Sequence, residues 1–133
     1  GAAGLEAMLI QLRSVVAAFG GTVVSESSDP ALVAAMWRSR KEALWHALAF
    51  YPTRRCMITD VCVPLTSLPA LLHSTSALLA TTPLPAAPTV AHAGDGNFHV
   101  FLFFAEGDAE EEAAARQVAD FLAGEAIRLG GTC

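Results

Sequence analysis

The run Ala91-His92-Ala93-Gly94-Asp95-Gly96-Asn97-Phe98-His99-Val100 restricts what this chain can fold into more than any other stretch. Its centre, Gly-Asp-Gly-Asn, is turn chemistry. It separates an apolar run (Thr89 to Ala93) from a strongly β-forming one (Phe98 to Phe104), so the pattern predicts a β-hairpin. With Asp95-Gly96 as a two-residue loop, Gly94 pairs with Asn97, Ala93 with Phe98, and His92 with His99. Directly paired residues hold their Cβ atoms ~4.5 to 5.5 Å apart on one face. From there two imidazoles can reach one divalent ion at about 2.0 to 2.1 Å per bond. A slip of one residue would send them to opposite faces. On residues alone the pair stays open between a metal site, a hydrogen-bonded pair in a polar pocket and an incidental neighbourhood, because a catalytic metal usually takes three protein ligands. Gly94, Asp95, Gly96 and Asn97 are expected to shape the turn rather than take part in chemistry.

The rest of the chain interleaves helices and strands. Leu5, Met8, Leu9, Leu12, Val15, Val16 and Phe19 follow helical spacing and stop at Gly20-Gly21. Thr22 to Glu26 reads as a short strand. Asp29 and Pro30 open a second helix that runs to about His46 or Leu48 and ends before Tyr51-Pro52. Arg40 falls at the edge of its apolar stripe, where a snorkelling surface arginine is the ordinary reading. Thr53 to Pro64 reads as a strand with Met57, Thr59, Val61 and Val63 on one face and Cys56, Ile58, Asp60 and Cys62 on the other. Asp60 is then either a strand-end acceptor or part of a site; Arg54 and Arg55 are expected to be solvated, the alternative being help for an anionic substrate or cofactor. Thr66 or Ser67 caps a third helix with Leu68, Leu71, Leu72, Leu78 and Leu79 inward and His73 on the surface. A last helix opens at Gly107-Asp108 with Glu110, Glu111 and Glu112 favoured by the helix dipole. Val118, Phe121, Leu122, Ile127 and Leu129 form its inner face. The sum is an α+β domain, a mainly antiparallel sheet with helices on one face.

Composition closes off several functions. A net charge of −5, with Lys41 the one lysine, offers no basic stripe, so no nucleic-acid role is assigned. The long uncharged stretch from Val61 to Gly94 is broken by prolines and hydroxyls, so no transmembrane segment is expected. Three cysteines without a C-x-x-C spacing point to a reduced compartment, since Cys56 and Cys62 would stand roughly 20 Å apart along one strand. At 53% hydrophobic against 16% charged the chain is apolar for its class. Phe98, Val100, Leu102 and Phe104 fill one face of the hairpin strand and His99, Phe101 and Phe103 the other, so the histidine-bearing face is expected to be greasy and to dock on something else.

His92-Ala-Gly-Asp-Gly-Asn-Phe-His99 resembles the H-x-G-D-G-N-x-H signature of the FAD-linked oxidase C-terminal domain, found in flavin-dependent D-lactate, glycolate and D-2-hydroxyglutarate dehydrogenases. Trp37-x-x-Arg40, Thr59-Asp60-Val61-Cys62-Val63-Pro64 and Gly130-Gly131-Thr132-Cys133 make the likeness strongest to the mitochondrial-type D-lactate dehydrogenases. The resemblance covers essentially the whole chain. It implies a ferredoxin-like cap domain lacking its first strand, with residues 1–133 a truncated substrate domain and the FAD-binding domain absent.

The resemblance further implies oxidation of a D-2-hydroxy acid, D-lactate to pyruvate foremost, with FAD held by the missing domain. A divalent metal, zinc or manganese, would sit on His92 and His99, and Arg40 would clamp the substrate carboxylate. The third ligand and the catalytic base are expected beyond Cys133, leaving no catalytic residue within the chain and an inactive isolated fragment. Electrons would pass to a cytochrome or an electron-transfer flavoprotein. Localisation would be mitochondrial in a eukaryote, otherwise cytoplasmic or membrane-peripheral, and is not encoded here. The alternatives are a glycolate or D-2-hydroxyglutarate dehydrogenase relative, or a non-catalytic module dimerising through its sheet face.

Overall fold

The computed structural model describes residues 2–133. They form two compact units that divide between Arg40 and Lys41. The first contains α1 (Ala2–Ala18) and nearly all of α2 (Pro30–Lys41). Gly20, at φ +71, ends α1 in the left-handed conformation that glycine adopts without strain. Asp29 caps α2 as its side chain accepts from Ala31 N at 2.8 Å and Leu32 N at 3.1 Å. The expected strand at Thr22 to Glu26 does not form. Strand propensity needs a ladder partner and a face to bury, and Val24 is 95% exposed. The helix expected from Pro30 to about Leu48 is likewise two helices, because Glu42 leaves helical geometry at φ −93, ψ 3.

The second unit carries α3 (Ala43–Phe50), β1 (Arg54–Ile58), β2 (Val61–Cys62), α4 (Leu68–Leu79), β3 (Thr89–His92), β4 (Asn97–Ala105) and α5 (Ala109–Arg128). The sheet is wholly antiparallel and β4 is its centre, pairing with β1, β2 and β3. β1 and β2 share one register against β4: Arg54 opposes Ala105, Ile58 opposes Phe101, and beyond a short interruption Val61 opposes Phe98 and Cys62 opposes Asn97. The chain is therefore α+β, as its element order implied.

Strand alternation places Phe98, Val100, Leu102 and Phe104 on the core face. They pack with Val61, Val63, Leu68 and Leu71 and with Ala115, Val118, Leu122 and Ala126 of α5. The inner stripe of α5 is thus built on small alanines as much as on large residues, and Ile127, expected inward, is exposed. Asp108 accepts from Glu110 N and Glu111 N, giving α5 the N-cap that the sequence suggested. Glu111 does more than complement the dipole. Its Oε2 accepts from Ala105 N at 2.7 Å and pairs with Arg54, so Arg54 is not a solvated bystander. The exposed Arg55 pairs with Glu106 at 3.1 Å.

Candidate functional site

The open end of the opposite sheet face carries the candidate chemistry. The register of β3 against β4 sets Val90 opposite His99, Ala91 opposite Phe98 and His92 opposite Asn97. This corrects the expected hairpin by two residues. A two-residue type I′ loop needs positive φ at both central positions. Gly96 has φ +76 but Asp95 does not, since no non-glycine residue takes positive φ among the described residues. Asp95 N donates instead to His92 O at 2.9 Å, closing a tight turn through Ala93 and Gly94 inside a four-residue loop. Gly96 packs against the residue that follows β2: its carbonyl accepts from Val63 N at 2.9 Å, and a Cβ there would come 2.0 Å from Val63 O.

An even slip preserves the faces. His92 and His99 are diagonal rather than direct partners, yet they remain side by side, with ring centroids 5.9 Å apart and planes at 81°. His99 Nδ1 lies 3.3 Å from Thr59 O and 3.5 Å from Asp60 Oδ1. Both neighbours can only accept, so the contacts at this nitrogen are ones that an Nδ1–H would satisfy. Asp60 Oδ1 accepts in turn from Asn97 Nδ2 at 2.7 Å, and the same amide donates to Val61 O at 3.0 Å. Asp60, in the interruption between β1 and β2, is thus linked to both His99 and Asn97. Asn97, expected only to shape the turn, also fixes that carboxylate.

Thr132 bridges Cys62 on the outer edge of β2, through Cys62 N to Thr132 O at 2.9 Å and Thr132 N to Cys62 O at 2.8 Å. One row across the sheet thus reads Thr132, Cys62, Asn97, His92. Cys62 Sγ donates to Asp95 O at 3.3 Å, tying the loop to the same row. All three cysteines are free thiols, and burial raises that of Cys56 above its ordinary range. Two imidazoles are chemically suited to a divalent ion but are fewer than the three protein ligands a catalytic metal usually takes. Among the described residues no group of three His, Cys, Asp or Glu side chains is placed to hold an ion.

The expected greasy surface around the histidines is smaller than the sequence implied. Phe101 and Phe103 are buried, Phe103 completely. The Tyr51 ring covers Phe103 at a centroid distance of 4.6 Å, and its hydroxyl donates to Ala86 O at 3.5 Å. No periodic signal marks Tyr51 for this role, because it follows the end of a helix and sits before a proline. Ile58 stays half exposed beside the site.

Arg40 belongs to the first unit. There it lines a shallow groove with Ser27, Val33, Met36 and Trp37, its guanidinium carbon 5.9 Å from the centroid of the Trp37 ring. A planar cation beside an indole face is held by cation–π attraction.

A family model described as FAD linked oxidases, C-terminal domain, matches residues 3–133. The mitochondrial D-lactate dehydrogenase (cytochrome) of Arabidopsis thaliana is 34% identical over 122 residues, 92% of this chain and 21% of the relative. A probable mitochondrial D-lactate dehydrogenase of Danio rerio is 32% identical over 114 residues, 86% of this chain and 23% of its own length. Mitochondrial D-lactate dehydrogenase (cytochrome) 1 of Saccharomyces cerevisiae is 33% identical over 102 residues, 74% and 17% respectively. The chain spans about a fifth of the length of these relatives.

Proposed function

The chain belongs to the FAD-linked oxidase C-terminal domain family, and on that premise we propose that it is the substrate-side cap of a flavoenzyme oxidising a D-2-hydroxy acid, D-lactate before others. The observation that carries the reading is the pair of imidazoles side by side on one open sheet face, within a His-x-Gly-Asp-Gly-Asn-x-His frame, with His99 Nδ1 set against the Thr59 carbonyl. The similarity to mitochondrial D-lactate dehydrogenases supports the substrate and, in a eukaryote, the compartment. The cap is read as ferredoxin-like, docked on the FAD-binding domain of the same parent chain.

In this reading His92 and His99 hold a divalent ion, zinc or manganese, which when bound acts as a Lewis acid on the substrate oxygens. The redox chemistry is that of FAD, and the protein supplies orientation and electrostatics. Arg40 binds and orients the substrate carboxylate through its forked donors. Asp60 and Asn97 keep His99 in place, and the half-exposed Ile58, opposite the buried Phe101, gives the neighbouring surface an apolar character that suits a short monocarboxylate over the dicarboxylate D-2-hydroxyglutarate. A cytochrome is the acceptor that the relatives' names suggest. No helix among the described residues is long and apolar enough to cross a membrane.

Anaerobic addition of D-lactate to the flavin-loaded protein carrying this chain tests the reading. Bleaching of the flavin band by D-lactate, with slower bleaching by glycolate and D-2-hydroxyglutarate, is the expected result. Unchanged flavin absorbance with D-lactate, or undiminished bleaching in both H99A and R40A, rejects it.

A further inference from the structure

The His99 ring is held by an exchange of hydrogen-bond partners in the strand beside it. β1 and β2 keep one register against β4, and continuing that register sets Thr59 opposite Val100 and Asp60 opposite His99. In an uninterrupted ladder a hydrogen-bonded pair such as Thr59 and Val100 would exchange both main-chain bonds. Only one is made, from Thr59 N to Val100 O at 3.1 Å. Val100 N donates instead to the Thr59 hydroxyl oxygen at 3.0 Å, and that hydroxyl lies 3.5 Å from Val100 O. The Thr59 carbonyl is released from the ladder and stands 3.3 Å from His99 Nδ1. Regular pairing accordingly stops at Ile58 and resumes at Val61.

We propose that Thr59 is a positioning residue for His99: its hydroxyl replaces its own carbonyl in the ladder, freeing that carbonyl to fix His99 with Nδ1 protonated and Nε2 bare. The two residues that make the exchange are buried, Val100 fully, so the Val100 amide cannot turn to water and must find an acceptor inside the protein. Threonine supplies one. Valine has the same shape without an acceptor, and with it the amide would reclaim the main-chain carbonyl and withdraw it from the imidazole. Asp60, held by Asn97, reinforces the same tautomer from the exposed side at 3.5 Å. A partner on one ring nitrogen decides which proton form the other presents. The functional weight of this arrangement rests on the reading of His99 as a metal ligand, but the tautomer itself does not.

Long-range proton–nitrogen correlation spectra of the ¹⁵N-labelled, metal-free chain measure the tautomer directly, at pH ~8 where an ordinary imidazole is neutral. Wild-type His99 is expected to be a single Nδ1–H form. T59V is expected to move it to a mixture containing the Nε2–H form, and T59S to restore the wild-type spectrum. A wild-type His99 in the Nε2–H form overturns the proposal without any variant having to fold, and so does an unchanged tautomer in folded T59V. Zinc titration of the same samples separates this from the metal reading. T59V is expected to bind about 10- to 100-fold more weakly than wild type, the range for loss of an outer-shell partner, with T59S unchanged. A wild-type chain that binds no zinc while T59V still shifts the tautomer refutes the metal reading and upholds the role of Thr59.

Discussion

His92 and His99 meet on the diagonal of the β3–β4 ladder, ring centroids 5.9 Å apart, while Asn97 and Val90 take the directly opposed places. Diagonal partners of a ladder are within reach of each other's long side chains but are set by two strands rather than by one pair. If the two rings share one ion, neither can hold it alone. H92A and H99A should therefore each lower zinc or manganese affinity by more than the roughly 10- to 100-fold typical of an outer-shell change. Isothermal titration of each variant checks this, and an H92A chain that binds like wild type removes His92 from the ligand set.

The loop between the histidines makes opposite demands on its two glycines. Gly96 is buried at φ +76, and a Cβ on it would meet Val63 O at 2.0 Å. Positive φ alone costs a non-glycine residue roughly 1 to 2 kcal/mol, and the strand must also shift to clear the carbonyl. G96A should lose about 2 to 4 kcal/mol in urea unfolding. Gly94 has open space around it and no positive φ, so G94A should stay within about 0.5 kcal/mol of wild type. Equal losses in the two variants would contradict the four-residue loop.

That loop also shows what the sequence made legible. The parity of β4 could be read from alternation alone: Phe98, Val100, Leu102 and Phe104 had to share a face, and they form the core. Parity also kept the histidines together, because two- and four-residue loops differ by an even step. The register itself was hidden, since Asp95-Gly96 satisfies either loop, and what decides is the hold of Val63, just past β2, on Gly96 from the other edge. The same holds for Thr59. A threonine in a strand reads as an ordinary β-former, and only the Val100 amide opposite reveals its hydroxyl as a substitute rung. Thr22 to Glu26 failed for the converse reason, a local preference with no ladder to join.

Glu111 ties α5 to the end of β4, and this bond should be visible in the acid limb of stability. The Ala105 N–H first, and the Arg54 guanidinium next, hold the Glu111 carboxyl below its ordinary range. A carboxyl depressed in the folded state contributes stability that is complete above its unfolded value of about 4.3. That contribution is lost as the pH falls through the lower folded value. The urea midpoint of the wild-type chain should therefore drop more between pH ~6 and pH ~3 than that of E111Q. Parallel pH profiles would mean that Glu111 titrates alike in the folded and unfolded chain.

Tyr51 decides how much of the histidine-bearing face is apolar surface. Its ring stacks at a tilt of 36° on the fully buried Phe103, and its hydroxyl anchors the proline-rich connection at Ala86. Truncation to alanine removes an aromatic pair worth about 0.5 to 1.5 kcal/mol beyond its buried area. It also uncovers Phe103, and the combined loss should reach about 2 to 4 kcal/mol. Because Phe103 shares its face with Phe101 and Ile58, Y51A would open one apolar patch running along the strand toward His99. An exposed patch of that kind drives association. Y51A should therefore bind more anilinonaphthalene sulfonate and elute earlier on size exclusion than wild type at equal concentration, whereas Y51F should do neither. A folded Y51A chain with wild-type dye binding would show that other residues cover Phe103.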